Sequence, residues 1–355
     1  MIKKIGITAA IVLMASSLTY AASSKVGGSV TNNVKTTSAA GITAMSRGQD
    51  THALAGSAKI ESSTVQGSVL NNVRTRSISA SARGNGVTAV AGSTFIQDSK
   101  VGASVTNNVR ASGTINAYAK GQDATATAGG INIQSSTVGY NASNNVKAKN
   151  LTGQAQGNDA AANAGGINVQ GSKVYGNVSN NVQSPTGDMT AFAKGTHVTA
   201  NAGSVNVQDS RVAFNVSNNV KARSMSATAR GENATANAGS IDIQNSKAYG
   251  NVTNTVRVPG DITALARGNH VTANAGSIRM AQSAAAQNVT NTVKIGQHSI
   301  YASAKGQNAT ANAGSINMQD AVVNDSVTNT VVACGITATA QGNNVEAEAG
   351  SIDIQ

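Results

Sequence analysis

The chain has 355 residues, enough for two ordinary domains, but its composition excludes a core of conventional bulk. Aromatic residues make up 3% of it, tryptophan is absent, and much of the apolar 40% is Ala and Val, so only a thin core of small side chains between closely packed sheets is compatible. The formal net charge of +11 favours polyanionic partners without identifying one.

Residues 1–22 have the layout of a secretory signal peptide. MIKK supplies a positive start, IGITAAIVLMASSL an apolar run, and TYAA a cleavage site of small residues. The apolar run is short for a membrane span, and no cysteine stands at the cut to carry a lipid anchor. We therefore predict cleavage after Ala21 or Ala22, secretion of residues 23–355 to the extracellular space or the cell surface, and no stable membrane insertion.

Residues 23–355 are predicted to form a single domain of tandem repeats. A glycine preceded by Lys, Arg or Gln recurs nine times with a period of 36 to 38 residues. A second glycine follows each of these after eight residues, and an Asn-Asn-Val or Asn-Thr-Val word follows at a constant spacing. The first glycine of each repeat, here called the ruler glycine, is one of the following: Gly48, Gly84, Gly121, Gly157, Gly195, Gly231, Gly268, Gly306 and Gly342.

Within a repeat, apolar and polar residues alternate. ITALARG (262–268) leads up to a ruler glycine, HVTANAG (270–276) follows it, and SVNVQ (204–208) shows the segment after a second glycine. Period-two patterning with β-branched residues is typical of strands, and Gly followed by Asn, Gln or Asp is typical of turns. The sequence therefore predicts an all-β fold, a β-solenoid of nine 36–38-residue repeats, with a bulge or corner at the second glycine.

All variation in repeat length falls just after the valine of the Asn word. Pro185, Pro259 and the single cysteine, Cys334, lie in these variable segments. Because proline cannot donate to a sheet ladder, we expect them to be exposed loops. One cysteine cannot form an intramolecular disulfide, so Cys334 is interpreted as an incidental loop thiol in preference to an intermolecular crosslink.

A half-period is also visible in the repeat. Residues 215–229 align with residues 233–246 at an offset of 18, which places Asn219 against Asn237. This match predicts two coils of about 18 residues per repeat. Eighteen coils at about 4.8 Å each predict a rod on the order of 85 Å long.

Stacked coils place equivalent residues above one another, so polar side chains are expected to form ladders along the rod. Amide ladders of this kind stabilise a fold without a large apolar core. The predicted Asn ladder is Asn163, Asn201, Asn237, Asn274 and Asn312. The predicted Gln ladder is Gln97, Gln134, Gln170, Gln208, Gln244, Gln319 and Gln355.

The stretch AKGQNATANAGSINMQ (304–319) resembles the repeats of curlin, the subunit of curli-type amyloid fibres. The resemblance extends in style over residues 23–355, although curlin repeats are shorter and carry paired Gln positions where this chain has one. It implies a secreted β-solenoid in which stacked Gln and Asn side chains support an extracellular fibre.

The two ends of the repeat region continue one another in register. SIDIQ (351–355) followed by SSKVGGSVTNNV (23–34) reproduces the internal junction in residues 93–109. No polar capping segment is evident at either end, and uncapped solenoids invite pairing with another chain. We expect head-to-tail stacking into a homopolymer, with a monomer that has short frayed ends as the alternative.

Catalytic and metal-binding patterns are not found in the sequence. The four histidines share no partner, the acids are scattered over turns, and no calcium-binding glycine repeat occurs. We therefore expect the chain not to be an enzyme and to hold neither a cofactor nor a metal ion.

Basic residues recur in two registers. One register follows the Asn word, and the other precedes the ruler glycine as a candidate stripe for DNA or acidic polysaccharide: Arg47, Arg83, Lys120, Lys194, Arg230, Arg267 and Lys305. The alternative is a set of solvated edge charges that limit lateral sheet pairing. A threonine column from Thr88 to Thr310 also fits ice binding, but ordinary strand preference explains it better.

The pattern as a whole predicts a secreted structural protein that stacks head to tail into an extracellular, amyloid-like fibre of a biofilm matrix or surface filament. The alternative function is a monomeric surface adhesin that binds a polyanionic glycan or nucleic acid through its basic ladders.

Overall fold

The computed structural model describes residues 18–20, 24–36, 40–50 and 52–355, and for residues 18–20 only the backbone. The signal peptide predicted over residues 1–22 lies outside this part of the chain, except for the strand Leu18–Tyr20. The variable segment 35–41 is likewise described only in part. All regular structure in the described residues is β, and none of it is a helix that could cross a membrane.

Each repeat folds into one coil of a solenoid, and five kinds of strand follow one another around the coil. Two-residue strands, here called short strands, come first: Lys25–Val26, Thr64–Val65, Lys100–Val101, Thr137–Val138, Lys173–Val174, Arg211–Val212, Lys247–Ala248, Ala284–Ala285 and Val322–Val323. The Asn strands carry the Asn word: Val30–Lys35, Val69–Thr75, Val105–Ala111, Ala142–Lys147, Val252–Val258, Val289–Ile295 and Val327–Val332.

The next two kinds of strand flank the ruler glycine. Basic strands lead up to it: Ile42–Gln49, Ile78–Asn85, Thr114–Lys120, Asn150–Gln156 and Ile262–Arg267. Ala strands follow it: His52–Ala55, Thr88–Ala91, Thr125–Ala128, Ala161–Ala164, Thr199–Ala202, Thr235–Ala238 and Val271–Ala275. In four places neighbouring strands merge, as an Asn and a basic strand in Val178–Thr196 and Val216–Glu232, and as a basic and an Ala strand in Ser299–Ala313 and Gly335–Ala349.

The Gln strands complete the coil after the corner at the second glycine. They are Leu18–Tyr20, Ala58–Glu61, Thr94–Gln97, Ile131–Gln134, Ile167–Gln170, Val205–Gln208, Ile241–Gln244, Ile278–Ala281, Ile316–Gln319 and Ile352–Ile354. Within the described part of the chain, three parallel sheets run along the solenoid, with nine short strands in one, ten Gln strands in another and the remaining 23 strands in the third.

Strands pair with the equivalent strand of the next repeat, and the register is parallel throughout. Asn71 lies beside Asn107, and Thr88 beside Thr125. The predicted β-solenoid is therefore confirmed, with nine coils and one coil per repeat.

The prediction of two coils per repeat is wrong. In the described residues no strand pairs with a segment 18 residues away, so at about 4.8 Å per coil the rod is about 43 Å long instead of 85 Å. The two similar halves of a repeat face each other across the interior of one coil. A Cβ on Gly92, at the end of an Ala strand, would contact Val109 of an Asn strand. Both walls direct alternate apolar residues into the interior, and this shared alternation produced the half-period.

The core consists of two apolar columns separated by a polar one. In the strand Val69–Thr75, Val69 belongs to the column lined by the Gln and short strands, and Val73 to the column lined by the basic and Ala strands. Asn71 lies between them and is fully buried. Most residues of the second column are alanine, so the walls approach closely, as the composition predicts.

The variable segments lie at the corner between the Asn and basic strands. Pro259 follows the strand Val252–Val258, and Pro185 stands where the pairing of Val178–Thr196 shifts register. Cys334 is exposed between Val327–Val332 and Gly335–Ala349. The predicted loop position is confirmed for Pro259 and Cys334. For Pro185 it is wrong, because this residue, although exposed, lies within the strand Val178–Thr196.

The ruler glycines have a steric reason to recur. Gly121 has a φ of 155°, and a Cβ there would overlap the carbonyl oxygen of Gly84 in the preceding coil. The same overlap recurs at Gly195 with the carbonyl oxygen of Gly157. The stack therefore admits no side chain at this position.

Candidate functional site

A continuous column of buried Asn side chains runs the length of the solenoid. The Nδ2 of Asn71 donates to Oδ1 of Asn107 at 2.8 Å, and Asn107 donates in the same way to Asn144 at 2.9 Å. Each step along the column has this direction, toward the C-terminal end. The column is Asn32, Asn71, Asn107, Asn144, Asn180, Asn218, Asn254, Asn291 and Asn329.

The same side chains tie the Asn strand to the corner glycine across the coil. Asn107 Nδ2 also donates to the carbonyl of Gly92 at 3.2 Å, and Asn254 Nδ2 donates to that of Gly239 at 3.0 Å. Each of these pairs is 15 residues apart. This bond explains why the spacing between the second glycine and the Asn word does not vary.

This column was not among the ladders predicted from the sequence. Its signal was present, because the first residue of the word is Asn in all nine repeats, whereas the second changes to Thr in the last three.

The predicted Asn ladder is a second, shorter column in the Ala strands. Asn237 donates to Asn201 at 3.0 Å, Asn274 to Asn237 at 2.8 Å, and Asn312 to Asn274 at 2.9 Å. These bonds point toward the N-terminal end, opposite to the longer column. Asn163 is in register with Asn201, but its Nδ2 donates to the carbonyl of Gly166.

The predicted Gln ladder is aligned but not bonded in the way we expected. Gln97 to Gln244 stack in register, and Ala281 interrupts the column before Gln319. Between described residues no Gln side chain bonds to another. Gln244 Nε2 instead donates to Asp242 at 3.0 Å, and Gln355 Nε2 to Asp353 at 2.8 Å. These side chains lie at strand ends and are at least partly accessible, so solvent competes for their amides.

The candidate basic stripe forms one exposed column. Arg47 pairs with Arg83, which pairs with Lys120, and the column continues from Lys194 through Arg230 and Arg267 to Lys305, with Gln156 and Gln341 as interruptions. Since each repeat is one coil, adjacent charges are about 4.8 Å apart along the backbone stack, half the spacing that two coils per repeat would give. The guanidinium of Arg83 lies 5.5 Å from the ring centre of Tyr118.

A second basic column follows the Asn word and is also exposed. It borders an open groove of about 550 Å³ lined by Lys35, Arg74, Arg76, Arg110 and Lys147. Like charges at this spacing repel one another, and a bound polyanion would relieve that repulsion.

A third basic column stands beside exposed aromatic rings, at the corner after the short strands. Lys173, Arg211 and Lys247 stack in successive coils. The aromatic corner consists of Tyr140, Tyr175, Phe214 and Tyr249, whose side chains are between 50% and 62% exposed. Lys173, Arg211, Tyr175 and Tyr249 line a shallow groove of about 210 Å³.

The C-terminal coil exposes its apolar interior. Val345, Ile352 and Ile354 are 45%, 46% and 60% exposed. Their equivalents one coil earlier, Ala309, Ile316 and Met318, are buried. The strand Ile352–Ile354 has a partner on one side only within the described residues. At the other end of the same sheet, Leu18–Tyr20 occupies the edge of the strand Ala58–Glu61.

Three carboxylates converge on the open C-terminal face. One oxygen each of Glu346, Glu348 and Asp353 lie within 4.8 Å of one another. Asn317 Nδ2 donates to Glu346 at 3.0 Å and also to Glu348. Burial, followed by the contact with Glu346, raises the pKa of Glu348 to about 8. Carboxylate oxygens are ligands for hard cations, but like charges this close also repel, and a protonated Glu348 relieves that repulsion.

The Asn column of the Ala strands ends at this cluster. Glu348 takes the place that Asn312 holds one coil earlier. The Oδ1 of Asn312 is buried and has no hydrogen-bond partner among the described residues. Its amide already donates to Asn274, so this acceptor is left at the end of the column.

The histidines lie apart from the carboxylate cluster. His197 and His298 form exposed pairs with Asp159 and Asp261, at 3.3 and 3.5 Å between Nδ1 and Oδ1. His52 begins the first Ala strand, at the opposite end of the solenoid from the carboxylates.

Comparison of the chain with known protein families, curated proteins and solved structures finds no match. The functional interpretation therefore depends on the geometry of the chain itself.

Proposed function

We propose that the chain is a secreted structural subunit that stacks head to tail into an extracellular fibre. The observation that carries the proposal is the open C-terminal coil, whose inward-facing Val345, Ile352 and Ile354 are exposed beside strand edges that no other described strand pairs with. An exposed edge with apolar side chains is a template for another chain.

The first coil of a second copy offers the matching surface. Its strand Val30–Lys35 has the same alternation as Val327–Val332, and each already pairs with its neighbour in the same parallel register. Stacked in the same register, Asn32 of the second copy lies over Asn329, so the long Asn column continues across the junction. The resemblance of the repeats to curlin agrees with such a fibre.

The basic columns favour growth along one axis. They place like charges on the sides of the rod, where they oppose lateral pairing of sheets, while the ends remain open. Linear, amyloid-like filaments of a matrix or surface structure are the assembly that this charge distribution supports.

A proline at the open edge tests the proposal. The N–H of Ile316 donates to the carbonyl of Ser351 in the next coil at 2.9 Å, so the equivalent N–H of Ile352 points out of the C-terminal end. Ile352→Pro therefore removes a donor that only a second copy can use. Gln297→Pro, in a variable segment, is the matched control.

Electron microscopy of residues 23–355, which contain all nine coils, provides the measurement. We expect long uniform filaments from the unchanged chain and the Gln297→Pro control, and short single rods from Ile352→Pro. Single rods from all three would contradict the fibre.

The aromatic corner favours a second candidate function, binding of a polyanion along the rod. Arg211 lies in a groove with Tyr175 and Tyr249, and rings beside cations can stack on bases or sugars while the cations hold phosphate or sulfate groups.

Titration of the Ile352→Pro rod with heparin and with single-stranded DNA at several salt concentrations tests this function. Replacing Lys173, Arg211 and Lys247 with Gln should make the slope of the logarithm of the binding constant against the logarithm of the salt concentration shallower by about three. Unchanged binding would exclude this corner.

A further inference from the structure

Three neighbouring columns of the solenoid are neutral along most of their length and carry ionisable groups at their ends. One column begins with His52, continues mainly as threonine and ends with Glu346. Another begins with Leu54, contains the Asn ladder and ends with Glu348. The third begins with Lys59 and ends with Asp353. Basic side chains, His52 and Lys59, therefore begin two of the three columns that acids end.

We propose that these end groups recognise each other between copies: Lys59 of one copy binds Asp353 of the copy before it, and His52 binds Glu346. This inference rests on the head-to-tail stacking proposed above and specifies how the two ends select each other. The ligand of the C-terminal carboxylate cluster is then the N-terminal face of a second copy of this chain.

The chain already contains one such pair in the third column. Arg279 lies over Asp242 of the preceding coil, with Nη1 and Oδ1 3.4 Å apart, and Asp242 is 1% exposed. The acid belongs to the earlier coil and the base to the later one. Asp353 followed by Lys59 of the next copy has the same order in the same column. This column therefore already holds one ion pair along the rod axis, between two coils that lie away from the ends of the solenoid.

The docking edge accepts a strand of the required kind within the chain. Leu18–Tyr20 pairs in parallel with residues 58–60 and places Thr19 beside Lys59. The strand Ile352–Ile354 has the same length and the same apolar-polar-apolar order, and in a stack its central Asp353 takes the place of Thr19. Removal of residues 1–22 vacates this edge, so assembly would follow cleavage of the signal peptide.

The other ionisable groups at the junction are compatible with this pairing. Lys59 Nζ lies 2.7 Å from Oε2 of Glu61, and Asp353 would be its second carboxylate. In the stack Glu61 falls over the neutral Gln355, and Asp50 over the neutral Asn344. Leu54 falls over Glu348, which is best accommodated there as the neutral acid. A protonated Glu348 also provides a donor for the unpartnered Oδ1 of Asn312.

Charge exchange between copies tests the inference on residues 23–355. Lys59→Asp gives a chain with acid at both ends of the column, and Asp353→Lys gives one with base at both ends. Each should elongate alone at least about tenfold more slowly than the unchanged chain, because like charges meet at every junction. In an equimolar mixture the two variants can alternate along the filament, and every junction then brings opposite charges together. The mixture should therefore elongate at a rate within about threefold of that of the unchanged chain.

A double variant that carries both Lys59→Asp and Asp353→Lys, together with a control at another lysine, completes the test. Positions 59 and 353 are eight coils, or about 38 Å, apart within one chain, so rescue in the chain that carries both changes must occur between copies. Lys100→Asp changes the net charge by the same amount as Lys59→Asp, but at an exposed site outside the column. This control chain should elongate at the rate of the unchanged chain.

The outcomes separate this inference from the fibre itself. Filaments that form at unchanged rates from both single variants overturn the charge recognition and leave head-to-tail stacking in place. Slow single variants without rescue in the mixture or the double variant also overturn it. If the unchanged chain forms no filaments, the proposed function fails and this inference fails with it.

Discussion

The side chain of Asn218 donates both to Oδ1 of Asn254 in the next coil, at 2.9 Å, and to the carbonyl of Gly203 across its own coil, at 3.0 Å. It also accepts from Asn180 at 2.8 Å. One buried amide thus connects three coils along the axis and two walls within a coil. Buried polar groups that are fully bonded in this way make a thin core specific.

Replacing Asn218 with Ala should therefore destabilise the solenoid strongly. The change leaves the Nδ2 of Asn180, the Oδ1 of Asn254 and the carbonyl of Gly203 without this partner, at a cost of roughly 3–5 kcal/mol in the free energy of unfolding. Asn219→Ala removes the neighbouring, exposed amide and should cost less than about 0.5 kcal/mol. Urea denaturation followed by circular dichroism measures both, and equal losses would show that the buried column is not special.

Gly195→Ala should disrupt stacking in the middle of the rod. Its Cβ would overlap the carbonyl oxygen of Gly157, so the two coils must separate locally, and we expect a loss of about 3 kcal/mol. Gly28→Ala is the control, because a Cβ at that position meets no atom of the described residues within 4 Å. Thermal unfolding of the two variants distinguishes them; a Gly195→Ala chain as stable as the control would contradict the close approach.

The last coil should lose stability as the pH rises. The pKa of Glu348 is about 8 in the folded chain, against an ordinary value of 4.5, so folding favours the protonated acid. This contribution is complete below pH 4.5 and is lost as the pH rises toward and through 8. Hydrogen exchange over residues 335–354 at pH 5 and pH 9 measures the effect. Glu348→Gln should abolish the difference, whereas Asp325→Asn, at an exposed acid of the same coil, should retain it.

The same group should make assembly depend on pH. Ionised Glu348 at pH 9 would be buried under Leu54 of the next copy, so filaments should elongate more slowly at pH 9 than at pH 7. Glu348→Gln should elongate equally at both. A pH dependence that persists in the Gln variant would assign the effect to another group. Thioflavin fluorescence, calibrated by electron microscopy, follows the rates.

Retention of the strand Leu18–Tyr20 should inhibit the growth of filaments. A chain of residues 18–355 keeps Leu18–Tyr20 on the edge of residues 58–60, whereas residues 23–355 leave that edge open. We expect the longer chain to elongate at least about tenfold more slowly, since a strand already occupies the docking position. Added in small amounts to growing filaments of the shorter chain, it should also stop growth at one end. Equal rates for the two chains would show that the strand does not block the edge.

Much of the fold was predictable because the sequence repeats. The recurrence of the ruler glycine every 36 to 38 residues predicted the solenoid, and the confinement of Pro259 and Cys334 to the variable segments predicted the loops. Both predictions depend only on local chemistry and on the fact that identical segments stack. The alignment of the basic residues from Arg47 to Lys305 follows from the same periodicity.

Other features depended on how each coil closes. Whether one repeat makes one coil or two is determined by packing across the interior, where Gly92 approaches Val109, and not by the alternation that both walls share.

The roles of the amide columns depended on closure as well. The position of Asn71 between two apolar columns decided that this amide is the continuous ladder, while Gln97 and its equivalents lie at strand ends and make no bonds to one another.

The sequence by itself determined the strands, the columns and the loops of this protein, because a repeated local pattern stacks on itself. Only the tertiary structure decided which amides are buried and bonded, and that Glu346, Glu348 and Asp353 share one open face. Those residues belong to two strands separated by a corner, and their proximity results from the path of the chain around the coil.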